Sequence, residues 1–423
     1  MESVGRHDPF PTAEPVTARV QPPPGRRADR HHGCEAGRVT SQPEQPETPV
    51  VRADRAPRLD PAAEHDAQRT SRPHRAARLE DRVTGFVARR LRDRGWVPRV
   101  EPYTGYGSAG WVRVMGRALL APPTTEADEA AETGEVAASH AVRGWRSFVT
   151  AQIPSARVTV TVGGRRHTVT SDRGGYVDSV LEADLDPGWH HVTLSAGGAE
   201  VEAPVLVIAA DQRTALLSDI DDTVMVTALP RPLLAAWNSL VLHESARRVV
   251  PGMAQLYSRW HAANPGAPTF YLSTGAWNVA PALRRFLERS GYPSGPLLLT
   301  DWGPTNSGWF RSGSEHKLQA LRRLMDELPQ VRWVLVGDDG QRDPVVYRQI
   351  AEEHPGRVDV IALRQLTPAE QVLAHGTPVP TDHTEPRSTP GGAMVVQGGD
   401  GNALALRLID ADLLTVQQRT DRG

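Results

Sequence analysis

The sequence predicts an α/β fold: a parallel sheet with helices on both faces, preceded by a β-sandwich-like domain and a disordered N-terminal tail. Three observations predict it. From residue 211 onward, apolar runs of strand length alternate with segments of helical period. From 97 to 210 the period is two, with glycine turns between short runs. Residues 1–75 hold one aromatic, Phe10, among many Pro, Arg, Glu and Gln. That is too little apolar area to offset chain entropy.

Composition narrows the function classes. A net charge of -2 excludes a constitutive nucleic-acid coat protein, and no nucleic-acid partner is expected. The one cysteine, Cys34, excludes an intramolecular disulfide and any cysteine-clustered zinc site. Of the 48 basic residues, Lys317 alone is a lysine. Arginine replaces lysine freely on a solvated surface but not where a compact point charge is needed. Lys317 is therefore a candidate before any motif is read.

The elements follow in order. Residues 76–210 open with a helix, because Leu79, Val83, Phe86, Val87 and Leu91 share one helical face and Gly95 stops it. Its other face carries Arg82, Arg89, Arg90, Arg92 and Arg94. Two readings are open for this basic helix at 78–94: core packing with a solvated basic face, or transient contact with an anionic membrane surface. Val112, Val114, Val158, Val160 and Val162 then alternate with polar residues, and Gly163-Gly164 marks a hairpin. Residues 122–136 read as a solvated acidic insertion. From 211 to 366, strands are expected at TALLSDID, TFYLS, 296–300, 331–336 and 358–363. Helices are expected at 246–262, 278–290, 317–328 and 343–353. The segment 367–423 reads as a Pro/Gly-rich tail with a short apolar docking helix within 403–414.

Four strand ends or helix starts carry chemistry. Leu216-Leu217-Ser218-Asp219-Ile220-Asp221-Asp222-Thr223 ends a hydrophobic strand in carboxylates, which stay ionised together only with a cation among them. Oxygen ligands without His or Cys favour Mg²⁺. Ser273-Thr274-Gly275 places a hydroxyl and turn amides where phosphate oxygens can be gripped, or caps a helix. Lys317, at or near a helix N-terminus, can neutralise phosphate charge. Gly337-Asp338-Asp339, with Asp343 beyond, offers close backbone approach and two carboxylates for one metal.

This order resembles the haloacid dehalogenase superfamily of phosphohydrolases. DIDDT, YLSTGAWN, DWG, HK and GDDGQRDPVVY resemble, more narrowly, the catalytic domain of the actin-patch-associated phosphatidate phosphatases, in a bacterial member. The stretch PYTGYGSAGWVRVMGRALL resembles their N-terminal part. Ser273-Thr274-Gly275-Ala276 departs from the more usual Ser-x-Ser-Pro. The resemblance implies a Rossmann-like sheet of haloacid dehalogenase type with a minimal cap. It implies that Asp219 is the nucleophile, forming an aspartyl-phosphate, and Asp221 the acid and then base. Ser273, Thr274 and Lys317 would hold the phosphoryl group. Asp219, the Asp221 carbonyl, Asp338 and Asp343 would bind Mg²⁺. Thr223, Asp222, Gly337 and Asp339 would support the site.

The implied activity is Mg²⁺-dependent hydrolysis of phosphatidate to diacylglycerol. Alternatives are a phosphatase of a soluble phosphometabolite or phosphoprotein, and a catalytically vestigial interaction protein. Leu229, Leu233, Leu234, Trp237, Leu240 and Leu242 lie in a segment too short for a large cap, and two readings are equally open: an open, apolar-rimmed entrance, or a helix packed on the core. With no spanning segment and no signal-peptide core, the expectation is a cytoplasmic protein, peripheral at the inner membrane face.

Overall fold

In a computed structural model, the structure describes residues 85–122, 151–226, 248–300, 313–340, 342–375 and 387–414. The predicted tail at 1–75, the acidic insertion and the segment holding Leu229 to Leu242 lie outside them.

The first eight strands are β1 (Val97–Ser108), β2 (Trp111–Ala121), β3 (Ala151–Gln152), β4 (Arg157–Val162), β5 (Arg165–Thr170), β6 (Tyr176–Glu182), β7 (Gly188–Ala196) and β8 (Ala199–Val207). They form one sheet in the order β3-β2-β1-β8-β7-β4-β5, with β6 also on β2. This corrects the expected sandwich. The sheet is continuous and curls until β5 touches β6, so it encloses its own core rather than stacking on a second sheet. The β4–β5 hairpin turns on Gly163 and Gly164, both in the left-handed region at φ 54° and 75°.

β2 shows why the curled sheet does not stand alone. Val112, Val114, Ala118 and Leu120 face its own core. The alternate residues Trp111 and Met115 belong instead to the core of the second sheet, together with Tyr103, Tyr106 and Ile208. Edge-on aromatic contacts run in a relay, Trp111 with Tyr106 (6.1 Å), Tyr106 with Phe270 (5.3 Å) and Phe270 with Trp333 (5.5 Å).

The second sheet holds β9 (Thr214–Asp219), β12 (Thr269–Ala276), β13 (Leu297–Thr300), β14 (Arg332–Asp338), β15 (Val358–Arg364), β16 (Arg387–Ser388) and β17 (Met394–Gly398). Its order is β13-β12-β9-β14-β15-β17-β16, parallel except for the β16 edge. The helices are α1 (Met253–Ala263), α2 (Ala280–Arg289), α3 (Gly313–Glu327), α4 (Asp343–Glu353), α5 (Pro368–His375) and α6 (Gly401–Asp410). The chain builds outward from β9 through β12 to β13, then returns to β14 on the other side of β9. Such a reversal opens a crevice at the carboxyl ends of the two strands that flank it.

Other expectations shift in detail. The helix expected at 246–262 runs over Met253–Ala263, and Arg248–Val249 pairs instead as the short strand β11 with β10 (Met225–Val226). The apolar region at 403–414 forms the docking helix α6, burying Leu404, Ala405 and Leu408, and β17 before it adds a strand to the sheet. In the helical run 85–93, Ala88 is the buried residue, while Phe86 and Val87 are 56% and 41% exposed. Leu91 of the predicted face does pack against the core of the curled sheet, beside Ala88, but Phe86 and Val87 do not. Leu79 and Val83 lie outside the described residues.

Candidate active site

Asp219 ends β9, and the register pairs it with Leu272, one residue before Ser273 on β12. On the other side, Ser218 pairs with Val336, two residues before Asp338. The reversal between β9 and β14 therefore sets Asp219 and Asp338 on its two rims. Ser273 lies inside β12, which continues to Ala276. The helix-capping reading of Ser273 is thereby corrected: its Oγ donates to Asp221 Oδ2 (2.9 Å) and accepts the Gly275 N–H (2.9 Å).

Lys317 sits one turn inside α3 rather than at its start, because the helix is already under way at Gly313. Its Nζ donates to Asp219 Oδ1 at 2.6 Å and to Asp343 Oδ1 at 2.5 Å. All three side chains are buried. Burial alone would strip the ammonium of its proton, but Asp219, Asp343 and Asp338 outweigh it and hold Lys317 above the usual lysine range. Thr223 Oγ1 donates to the second Asp219 oxygen at 3.3 Å.

The carboxylate oxygens of Asp219, Asp338 and Asp343 lie within 4.8 Å of one another. Burial, and then the repulsion of Asp343, pushes the Asp338 carboxyl up to about 8. Burial, only partly offset by Lys317, raises Asp219 well above the carboxylate range. Two buried carboxyl groups and a half-buried one crowd a single ammonium. An oxygen-liganded divalent cation fits that donor set. Asp343 is the first residue of α4, where the helix dipole favours a carboxylate. Gly337 makes room for it: a Cβ there would lie 2.5 Å from Asp343 Oδ2.

The remaining predicted residues hold the loops. Asp339 Oδ1 accepts the Leu366 N–H (2.9 Å), and its own N–H donates to the Arg364 carbonyl (2.8 Å). Asp222 adopts φ 57°, and its carbonyl accepts Arg364 Nη1 at 2.7 Å. Thr274 packs at the start of α3, where a Cβ on Gly313 would meet Thr274 Cγ2 at 2.8 Å and Arg342 Nη1 at 2.5 Å.

Sequence reasoning missed three further side chains. The Tyr257 hydroxyl meets Ser218 Oγ at 2.5 Å, the Tyr292 hydroxyl donates to the Val224 carbonyl at 2.9 Å, and Arg364 holds Asp222. A tyrosine in a helix and an arginine at a strand end carry no local signal of such a role.

The family described as "Phosphatidate phosphatase APP1, catalytic domain" matches residues 214–365. The chain is 25% identical over 150 residues to Phosphatidate phosphatase APP1 of Saccharomyces cerevisiae, covering 35% of this chain and 25% of that protein. It is 22% identical over 152 residues to an uncharacterised protein of Schizosaccharomyces pombe, covering 36% and 25%. The chain thus spans about a quarter of the length of these relatives. A carbohydrate acetylesterase from Xanthomonas citri overlays with a TM-score of 0.21 at 11% identity, over 66% of this chain and 76% of that one, too loosely to bear on the fold. Every residue of the carboxylate, hydroxyl and lysine cluster falls inside the matched segment, so it is over residues 214–365 that the chain is similar to the phosphatidate phosphatase APP1 catalytic domains.

Proposed function

We propose that this chain is a Mg²⁺-dependent phosphatidate phosphatase working through an aspartyl-phosphate. The observation that carries the reading is Lys317 Nζ bridging Asp219 and Asp343 beside Asp338. That arrangement supplies a buried nucleophile, a fixed cation and a set of metal ligands within one crevice. The order of the parallel strands, which reverses at the site, supports a Rossmann-like sheet of the haloacid dehalogenase type.

Asp219 attacks phosphorus in line, and the bond from phosphorus to the leaving oxygen breaks as the new one forms. Asp221 delivers its proton to that oxygen. Its carboxylate then takes a proton from the water that cleaves the aspartyl-phosphate and frees Asp219. The Ser273 hydroxyl and the Lys317 ammonium hold the phosphoryl oxygens. Asp219, Asp338 and Asp343 would hold Mg²⁺, whose charge offsets that of the phosphoryl oxygens.

A bilayer substrate requires an approach to the membrane. Among the described residues, no helix is long and apolar enough to cross one. Exposed Phe86 and Val87, beside Arg89, Arg90, Arg92 and Arg94, support peripheral contact with an anionic surface, in keeping with cytoplasmic residence.

The test is phosphate release from phosphatidate in liposomes with Mg²⁺, with chelator, and with the Asp219→Asn variant. Release that needs both Mg²⁺ and Asp219 is expected. Preferential release from soluble phosphomonoesters would assign a soluble substrate instead. No release from any phosphomonoester would leave a binding protein.

A further inference from the structure

The loop from Ser218 to Val224 carries both Asp219 and Asp221, and three side chains from outside it grip it. Tyr257 meets Ser218 at one end, and Tyr292 holds the Val224 carbonyl at the other. The two rings pack edge to face, with centroids 5.5 Å apart. The middle grip is Arg364, the last residue of β15 and 4% exposed. Its Nη1 donates to the Asp222 carbonyl at 2.7 Å, and its Nη2 donates to Glu370 Oε1 at 2.6 Å.

That middle point is where the backbone most needs support. Asp222 stands at φ 57°, a left-handed conformation that a residue with a Cβ adopts only under constraint. The turn it makes directly follows Asp221, whose carboxylate accepts the Ser273 hydroxyl. A buried guanidinium on a single main-chain carbonyl is a strong hydrogen bond. Glu370 pairs with the guanidinium at its other nitrogen, so its charge is matched.

We propose that Arg364 is a positioning residue for Asp221: by holding the Asp222 carbonyl it fixes the left-handed turn that aims the proton donor at the leaving oxygen. The inference rests on the proposed role of Asp221. As the phosphorus–oxygen bond breaks, the Asp221 proton moves to the departing alkoxide. An alkoxide needs that proton, whereas a nitrophenolate departs without it.

The experiment compares an alkyl phosphomonoester with p-nitrophenyl phosphate on one preparation of the full chain with Mg²⁺. The variants are Arg364→Met and Arg364→Lys. The comparison uses kcat/KM, which covers the steps up to departure of the leaving group and not the hydrolysis of the aspartyl-phosphate that both esters share. The ratio of the two kcat/KM values does not depend on the active fraction, so partial misfolding does not move it. Arg364→Met is expected to lose about 10- to 100-fold in kcat/KM on the alkyl ester, part of the usual general-acid share, and less than about threefold on the aryl ester. Arg364→Lys, which keeps the charge and one donor, should restore part of the ratio and carries the test if the Met variant does not fold. An unchanged ratio in both variants overturns the assignment alone. A parent protein that hydrolyses neither ester overturns the phosphatase reading, and the assignment with it.

Discussion

The Tyr106 hydroxyl donates to Glu327 Oε2 at 2.6 Å, so a strand of the curled sheet holds the last residue of the helix that carries Lys317. Arg113 on β2 binds the other Glu327 oxygen and also Asp178 on β6, and Arg323 reaches Asp178 at 2.9 Å. A carboxylate in the last turn of a helix opposes the dipole, and burying it adds a desolvation cost. The cluster offsets both costs by joining the two sheets through charge as well as apolar packing.

Arg113→Met should therefore destabilise the chain strongly, by about 3–5 kcal/mol, because it leaves the buried Glu327 unpaired. Arg113→Met with Glu327→Leu should recover most of that loss. Urea unfolding of the single and double variants decides it. A double variant as unstable as the single one would contradict the account.

Lys317→Arg keeps the charge but not its shape. The compact ammonium bridges two carboxylate oxygens at 2.6 and 2.5 Å, and a planar guanidinium cannot occupy the same point. A loss of about 10²–10³ in kcat is expected, of the size seen when one preorganised donor is removed. Steady-state rates alongside thermal melts check this. Near-parent turnover would remove Lys317 from the mechanism.

Gly337→Ala tests the packing behind Asp343. The added carbon would lie 2.5 Å from Asp343 Oδ2 and 2.8 Å from the Tyr347 ring, so the carboxylate must move. Mg²⁺ affinity by calorimetry should fall about tenfold or more, in the range of other displaced ligand supports. Unchanged affinity would mean that Asp343 does not bind the ion.

Alkaline pH should open the fold through its tyrosines. Burial holds Tyr106, Tyr257, Tyr271 and Tyr347 well above the usual phenol range, and Tyr292 is also raised. For an acid raised in the folded state, stability is complete below the unfolded value near 10 and is lost as pH climbs past it. Absorbance titration should show these five of the seven tyrosines ionising together with unfolding. Five smooth titrations near pH 10 in a folded chain would contradict this.

The sequence showed most of the candidate site because its groups lie at or near strand ends and in the first turns of helices, where the apolar run breaks. Asp219, Ser273 and Asp338 were found that way, and Lys317 stood out by composition. Arg113 shows why the rest was hidden. It alternates with Val112 and Val114, as a solvent-facing residue would, yet it is 2% exposed and bound to Glu327 at the end of α3. Period two reports which residues share a face, not what lies against it. Arg364 was hidden for a related reason: its partner is a carbonyl 142 positions away, and a main-chain acceptor leaves no mark in the sequence.

Kinship in sequence and wholeness in folding have different limits in this chain. The matched segment begins at 214, but Tyr103 stacks on Trp277 at 4.3 Å, and Tyr106, Trp111 and Ile208 complete the apolar interior around Phe270. An expression boundary drawn at the edge of the match would open that interior to water beside Trp277, the residue that directly follows β12. Recombinant fragments and domain swaps with relatives should therefore carry the curled sheet along, or supply another surface of the same shape.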